Sequence, residues 1–333
     1  MTITKNKKIG IALLLLLSVA SIFYLWSTGH RKSGQNYSFS PPNIDVGGKA
    51  AGLNIRLNID GRQFSFPDSL PVYAVDNTPF SDQEMLQISQ RFGFDSQPLI
   101  LNDLNQGRVY LWSAENADLR IVPGVHIIDY KYNPASLSQN PTFPDSQEII
   151  AVASHFISDK QILALSDFSF SKVRFIDQFA EENVVVDKSF AEVVDVHFVE
   201  KINSYPIINV TFEAGTVSVK MNKDDLVISL YVDLAGQLAS IGEFPIKSFT
   251  DLDSSLSEAQ IISIENLDSS LLDKPDAIIN RIELTSISIA YLQESKASQV
   301  HLQPVFVLEG VAYLTGTNEE RKTVLFLPAL KFN

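Results

Sequence analysis

Cysteine is absent from the 333 residues. That excludes disulfides, thiolate zinc sites, iron–sulfur clusters and cysteine catalysis. Positive charge is scarce: 26 Lys and Arg stand against 39 Asp and Glu, a net charge of −13. Five of those bases precede residue 33 and no acid does, so the remainder is more acidic still. A phosphate backbone repels such a surface, and nucleic acid is not expected as a partner. Histidine is sparse and dispersed. His30, His126, His155, His197 and His301 show no H-E-x-x-H or other ligand spacing, and read as surface or half-buried side chains. G-x-S-x-G, G-x-G-x-x-G and the Walker A loop are missing. No catalytic, cofactor-binding or metal-ligating residue is assigned, no cofactor is expected, and the chain does not read as an enzyme.

Apolar residues make up 45% of the chain and charged residues 20%, which excludes disorder and collagen-like repetition. The longest uncharged run is Ile9 to Trp26. Lys5, Lys7 and Lys8 precede it, and His30, Arg31 and Lys32 follow. Such a run spans roughly 27 Å as a helix, enough to cross a bilayer core. Tyr24 and Trp26 sit where an aromatic belt belongs. The alternative is a cleaved signal peptide with Ser18-Val19-Ala20 as the cleavage site. The run continues past Ala20 into aromatics and a basic stop, which favours an uncleaved anchor. Positive-inside logic then places residues 33–333 outside the cytoplasm in a single-pass cell-membrane protein.

Ser27 to about Ala50 is rich in Ser, Gly and Pro and reads as a tether. Leu53–Ile59 alternates, Asp60-Gly61 supplies turn chemistry and Gln63–Phe66 returns, so a hairpin is predicted there. Ser81–Phe92 aligns with Asp145–Phe156 at an offset of 64 residues. Each segment begins with a side-chain acceptor followed three residues later by Glu, a capping-box spacing. Each has apolar residues at i, i+3 and i+7: Met85, Ile88, Phe92 and Ile149, Val152, Phe156. Strand-like segments follow both helices, and the pair reads as an internal repeat. After the first come Arg108–Trp112, Leu119–Val122 and Val125–Tyr132. After the second come Phe168–Ile176, Val193–Ile202, Ile207–Phe212, Thr216–Met221 and Leu226–Leu234, with polar turns at Asn203-Ser204 and Asn222–Asp225. Ser248 to Ala259 reads as a short helix. Ile282–Gln293, Val300–Leu314 and Thr323–Leu330 read as an antiparallel meander.

Three acidic pairings bear on chemistry. Asp224-Asp225 lacks the alternating ligands of a calcium loop and reads as a solvated turn. Glu319-Glu320 beside Arg321-Lys322 reads as a charged hairpin tip. Asp251 and Asp253 read as helix capping rather than an acid–base pair. Of the 21 Phe, 10 Tyr and 2 Trp, most must be core, including Phe168, Phe170 and Phe326. An aromatic-lined peptide or glycan groove is the alternative use.

The anchor, the helix-plus-sheet segments and the strand-rich end together resemble the YycH/YycI-type extracytoplasmic regulatory proteins of bacteria, with PepSY-like modules. The resemblance rests on Gly236, on Phe244-Pro245-Ile246-Lys247-Ser248 leading into a short acidic helix, on Ile289-Ala290-Tyr291, and on Leu302-Gln303-Pro304-Val305-Phe306. It implies a non-catalytic, single-pass partner of a membrane sensor kinase.

The expected fold class is therefore α+β: an N-terminal transmembrane helix followed by two or three helix-on-antiparallel-sheet units. The expected divisions are an anchor (1–32), a tether (33–50), α+β units at 51–140 and 141–260, and a β-rich unit at 261–333. The expected function is membrane-anchored binding or regulation through a protein partner at the cell envelope, with the bilayer contacted through Ile9 to Trp26. An envelope peptide- or glycan-binding module such as a protease inhibitor is the alternative, and a hydrolase with a scattered site is the third.

Overall fold

The computed structural model describes residues 40–332, apart from 45–46, 60, 62–63, 105, 135–139, 141, 162–167, 178–183, 210–215, 266, 268, 295–298 and 318. Strands β1 (Gly48–Lys49), β2 (Asn54–Leu57) and β3 (Ser69–Asp76) precede helix α1 (Asp82–Arg91). Then come β4 (Leu99–Asp103), β5 (Gly107–Ser113), β6 (Ala117–Val122), β7 (Ile127–Tyr132) and helix α2 (Ser146–Asp159). Strands β8 (Phe168–Asp177), β9 (Val184–Val185), β10 (Val193–Ile202), β11 (Tyr205–Asn209), β12 (Val217–Met221), β13 (Val227–Asp233) and β14 (Gln237–Pro245) follow. Helix α3 (Phe249–Ser254), β15 (Gln260–Ile264), helix α4 (Pro275–Ile278), β16 (Ile279–Gln293), β17 (His301–Leu314) and β18 (Glu320–Pro328) complete the chain.

Both longer helices start where their side chains satisfy the first free N–H groups. Ser81 caps α1 in a full capping box: Glu84 N donates to Ser81 Oγ, and Ser81 N donates to Glu84 Oε2 at 2.8 Å. Asp145 caps α2 by accepting from Gln147 N and Glu148 N. Gly93 follows α1 at φ +86°, a conformation that stops a helix and suits glycine. The α2 stripe that is fully buried is Ile149, Ala153 and Ile157, while Val152 and Phe156 sit on its flank, half-buried.

Each of these helices is followed by antiparallel strands, and the last strand of each set pairs with the other. Strands β7 and β13 run antiparallel from Ile127↔Asp233 to Lys131↔Ser229. The result is one antiparallel sheet in the order β4-β5-β6-β7-β13-β12-β10-β8-β9. Met85 and Ile88 of α1 and Ile149, Ala153 and Ile157 of α2 share one core with Leu119, Ile128, Val196 and Leu230 of that sheet, so both helices lie on the same face. The repeat-equivalent rings of Phe92 and Phe156 meet at 6.4 Å between centroids, with Tyr130 4.8 Å from Phe92. Lys160 Nζ donates to Arg91 O at 2.9 Å and Arg91 Nη1 donates to Gln161 O at 2.7 Å. Each helix thus supplies a cation to the carbonyl end of the other, where the helix dipole favours positive charge.

A second, mixed sheet runs β1-β15-β18-β17-β16 antiparallel. Strands β2 and β11 then add in parallel to opposite ends of the outer edge of β16. Strand β3 pairs along β14 and with His301 and Leu302 at the start of β17. The β10–β11 hairpin links the two large sheets. Its turn residues Asn203 and Ser204 have φ of +49° and +73°, as a two-residue hairpin turn requires. Asn203 Nδ2 then donates to Tyr73 Oη at 2.6 Å, the Tyr73 ring packs edge-on to Tyr291 at 5.4 Å, and Tyr291 Oη donates to Pro71 O at 2.8 Å. Tyr291 has no exposed surface.

Several expectations are corrected. Separate helix-on-sheet units do not describe this chain: the described residues are dominated by a large mixed β network, because strand pairing runs on across every division where a unit was expected to end. Among the described residues of the hairpin expected at 53–66, β2 instead pairs in parallel with Arg281–Leu284 of β16 and residues 64–66 form no strand, while Asp60 and Gln63 lie outside the described residues. Gly47 to Ala50, placed at the end of a tether, are built into the sheet: Gly48 pairs with Ile261, and Ala50 is fully buried. The transmembrane helix, the single-pass membrane placement and the extracytoplasmic localisation that followed from it are likewise not retained. No described helix is long and apolar enough to cross a membrane. The longest of them, α2, has 14 residues, about 21 Å, and a polar outer face. The Ile9 to Trp26 run itself lies outside the described residues.

The close approach of β16 and β17 is tightest at Gly310, where an added Cβ would lie 2.1 Å from Glu283 O and 2.7 Å from Leu284 Cα. Both contacts are backbone, so the sheet has to shift. Gly310→Ala should lower the unfolding free energy by about 1–3 kcal/mol. Gly124→Ala, whose nearest neighbour would be Gln106 O at 4.0 Å, should stay within about 0.5 kcal/mol. Urea denaturation of the two variants checks the difference.

Candidate binding surface

The described residues hold one buried ionisable cluster. Strand β10 reads Val-Val-Asp-Val-His-Phe-Val, apolar on the helix-facing side and polar at Asp195 and His197 on the other. Both side chains are almost wholly buried. Cross-strand neighbours complete the group: Arg174 Nη2 lies 3.1 Å from Asp195 Oδ2, and Ser218 Oγ donates to Asp195 Oδ1 at 2.6 Å. His197 Nε2 lies 2.9 Å from Asp195 Oδ2. Burial alone would push the Asp195 carboxyl up. His197, the Ser218 hydroxyl and the Arg174 guanidinium together override it and hold the pKa at about 2. The order of contacts is Ser–Asp–His, with the carboxylate in the middle. A nucleophilic triad needs the imidazole between serine and acid, so this arrangement leaves the hydroxyl without a base. Its chemistry is that of a structural polar knot.

The other singled-out residues do not converge. His126 is buried, its Nε2 3.0 Å from Thr78 O and its ring edge-on to Phe80 at 4.8 Å. His155 is exposed on α2 and His301 is half-buried in β17, its imidazole pulled down by burial. His30 lies outside the described residues. Asp251 closes a capping box with Ser248 and pairs with Lys331 Nζ at 2.8 Å. Hydrogen bonds from Lys331 and then Ser248 hold its carboxyl well below the usual range. Asp253 is exposed. Asp224 accepts from Asn140 N at 3.1 Å. Glu319 pairs with Arg321 at 2.6 Å beside the β17–β18 turn. Phe326 is fully buried, Phe168 packs against the helix-side core, and Phe170 is 44% exposed. Among the described residues no group of three or more His, Asp or Glu is placed to hold a metal ion.

The surface feature that sequence reading missed is β4. It forms one edge of the nine-stranded sheet and, among the described residues, pairs only with β5. All five of its residues are exposed: Leu99 at 62%, Ile100 at 53% and Leu101 at 45%, with Leu104 beyond its end fully exposed. Leu99 and Leu101 face the side of the sheet that carries Val109 and Leu111, away from the helices, and Ile100 faces the other way beside Tyr110. Apolar side chains therefore project on both faces of a strand whose outer backbone edge is unpaired among the described residues. Its sequence carries little strand signal: Pro98 precedes it and Asn102-Asp103 close it, leaving three apolar residues without alternation.

The polar knot sets an acid limit on stability. The folded pKa of Asp195, about 2, lies below the roughly 3.9 of an unfolded aspartate. Its contribution is therefore complete above about pH 5 and is lost progressively as the pH falls through 2, amounting to about 2.6 kcal/mol. Asp195→Asn should be clearly less stable than the parent at pH 7, and the gap should narrow between pH 4 and 2. Urea midpoints across that range check it.

No protein-family model matches this chain, and no curated protein matches it either, so its function rests on the geometry alone.

Proposed function

We propose that the chain is a non-catalytic binding protein that engages a protein partner by strand addition at β4. The observation that carries this reading is a five-residue edge strand with every residue exposed and three adjacent apolar side chains, Leu99 to Leu101. Unpaired strand edges template pairing with another chain, and folded proteins ordinarily blunt them. Blunting is visible elsewhere on this molecule. The opposite edge of the same sheet, β9, is only two residues long, as is β1. Strand β14 has a register shift next to Gly242 and carries Glu243 and Pro245. Strand β4 has none of these devices between Leu99 and Leu101.

An extended partner segment laid along β4 gains main-chain hydrogen bonds for affinity, while its alternate side chains meet Leu99 and Leu101 on one face and Ile100 on the other for specificity. Such a segment carries apolar side chains on both of its faces. The reading needs no catalytic group, and it makes the partner the source of regulation.

A photo-crosslinking amino acid at Ile100 in intact cells should give a discrete adduct, absent when the same group is placed at the exposed Glu258. The Leu99→Lys/Leu101→Lys double variant should keep its thermal midpoint, because both side chains are exposed, and lose the adduct. Reconstitution with the purified adduct partner should show at least about a tenfold weaker association for that variant. An adduct that survives both lysines removes β4 as the interface.

A further inference from the structure

We propose that the pocket between α2 and the β7–β13 seam binds a lysine- or arginine-bearing peptide segment, at a site separate from the β4 edge. The pocket measures about 420 Å3, within the roughly 300–1,000 Å3 range of ligand sites. That is room for one long side chain and part of its neighbours.

Three aromatic rings line it: Tyr130 and Tyr132 from β7 and Phe156 from α2. Two carboxylates stand at its margin, Asp159 at the end of α2 and Asp225 in the β12–β13 turn. No Lys or Arg is among its lining residues. Aromatic faces are negative at their centres and attract cations, and carboxylates at the rim add charge complementarity. Burial, then the neighbouring Tyr132, push the Tyr130 phenol up, so its ring carries no charge near neutral pH. The molecule already uses this chemistry beside the pocket: Lys160 Nζ lies 5.4 Å from the Phe156 ring centroid and 5.6 Å from that of Phe92.

The internal repeat sharpens the contrast. An equivalent pocket of about 240 Å3 lies between α1 and the same seam, lined by Ile88 and Arg91. The 64-residue offset maps those positions onto Val152 and His155. The α1 pocket thus carries its own guanidinium, which donates to Gln161 O. The α2 pocket has an exposed imidazole at that position and is larger and more open. Lys160 stands at one end of it, against Phe156 and 3.9 Å from Asp159 Oδ2, so the side lined by Tyr130, Tyr132 and Asp225 is where a cation from outside fits.

The turn that presents Asp225 is built rather than loose. Asn222 is 8% exposed, and its Oδ1 accepts from Asp224 N at 3.0 Å and Leu226 N at 3.1 Å. Leu226 beside it is 39% exposed and offers an apolar contact for a residue flanking the bound cation.

The test uses the full chain and four acetylated, amidated peptides, Ala-Leu-X-Leu-Ala with X as Lys, Arg, norleucine or Glu, titrated at pH 8 and followed by tyrosine NMR signals. The Lys and Arg peptides should shift the Tyr130 and Tyr132 signals and bind at least about tenfold more tightly than the norleucine and Glu peptides. Asp159→Asn/Asp225→Asn should weaken the Lys peptide by about tenfold and flatten its salt dependence. Asparagine tolerates the φ of +59° at position 225, so an unchanged thermal midpoint serves as the folding control. The Leu99→Lys/Leu101→Lys variant should bind the Lys peptide as the parent does. Equal affinity for the Lys and norleucine peptides, no binding up to about 1 mM, or loss of binding in the β4 variant would each overturn the proposal; the last would place the peptide on the sheet edge.

Discussion

The antiparallel pairing of β7 with β13 is the constraint on which the rest of this molecule hangs. Each half of the repeat ends in a strand with one unsatisfied edge, and each edge is satisfied by the other half. Register matters here because a slip of one residue would turn every side chain to the wrong face. With Ile128 opposite Val232 and Tyr130 opposite Leu230, the apolar residues of both strands point towards the helices. That register also brings the C-terminal ends of α1 and α2 together. Phe92, Phe156 and Tyr130 fill the space between them, and Lys160 and Arg91 exchange hydrogen bonds across it. The pockets on either side of the aromatic cluster are consequences of the same pairing.

A second constraint ties this sheet to the C-terminal one. Strand β10 leaves the first sheet at Lys201, turns at Asn203-Ser204 and returns as β11, which joins β16 in parallel. Around the junction, Tyr73, Tyr205 and Tyr291 pack ring to ring, and their hydroxyls are not left unpaired at the contacts that matter: Tyr291 reaches Pro71 O and Tyr73 accepts from Asn203. Burial pushes the Tyr291 phenol far up, so it serves only as a neutral donor. The Asp195 knot lies upstream on the same strand β10. A carboxylate held among Arg174, His197 and Ser218 is costly to place anywhere else, which argues for register fixing as its role.

What was legible in the sequence is what is local. The two helix starts are written in Ser81, Glu84 and Asp145, because capping depends on residues three apart. The β16–β17–β18 meander follows from long apolar runs with polar turns between them. The 64-residue offset of the helices was legible too, and it lands on a physical fact, the Phe92–Phe156 contact. Non-local pairing was not legible. Strand β2 alternates as a hairpin strand would, yet its partner in β16 lies more than 200 residues later and runs parallel. Strand β1 is too short to carry a pattern, and Gly47-Gly48 looked like tether because glycine marks both loops and close backbone approach. The polar knot left one trace, the alternation of Asp195 and His197 with Val194, Val196 and Phe198. Arg174 and Ser218 join it only through cross-strand register. Pattern reading missed β4 for the opposite reason: its apolar residues do not alternate because neither of its faces is buried.

That last failure carries information. Sequence patterns of strands record which face the protein's own core covers. A strand whose pattern records no core, but which keeps leucine and isoleucine on both faces, has side chains that the chain itself does not use for folding. Short edges, a bulge and Pro or Glu protect the other boundaries of the sheets, so exposure at β4 is not a general feature of how this molecule ends its sheets. Three adjacent apolar residues on an edge that is unpaired among the described residues are the observation on which the proposed partner contact rests. The same logic separates the two pockets at the seam. The α1 pocket is lined by a guanidinium, Arg91, whereas the α2 pocket has the His155 imidazole at the matching position and two carboxylates, Asp159 and Asp225, the first of them 3.9 Å from Lys160 Nζ.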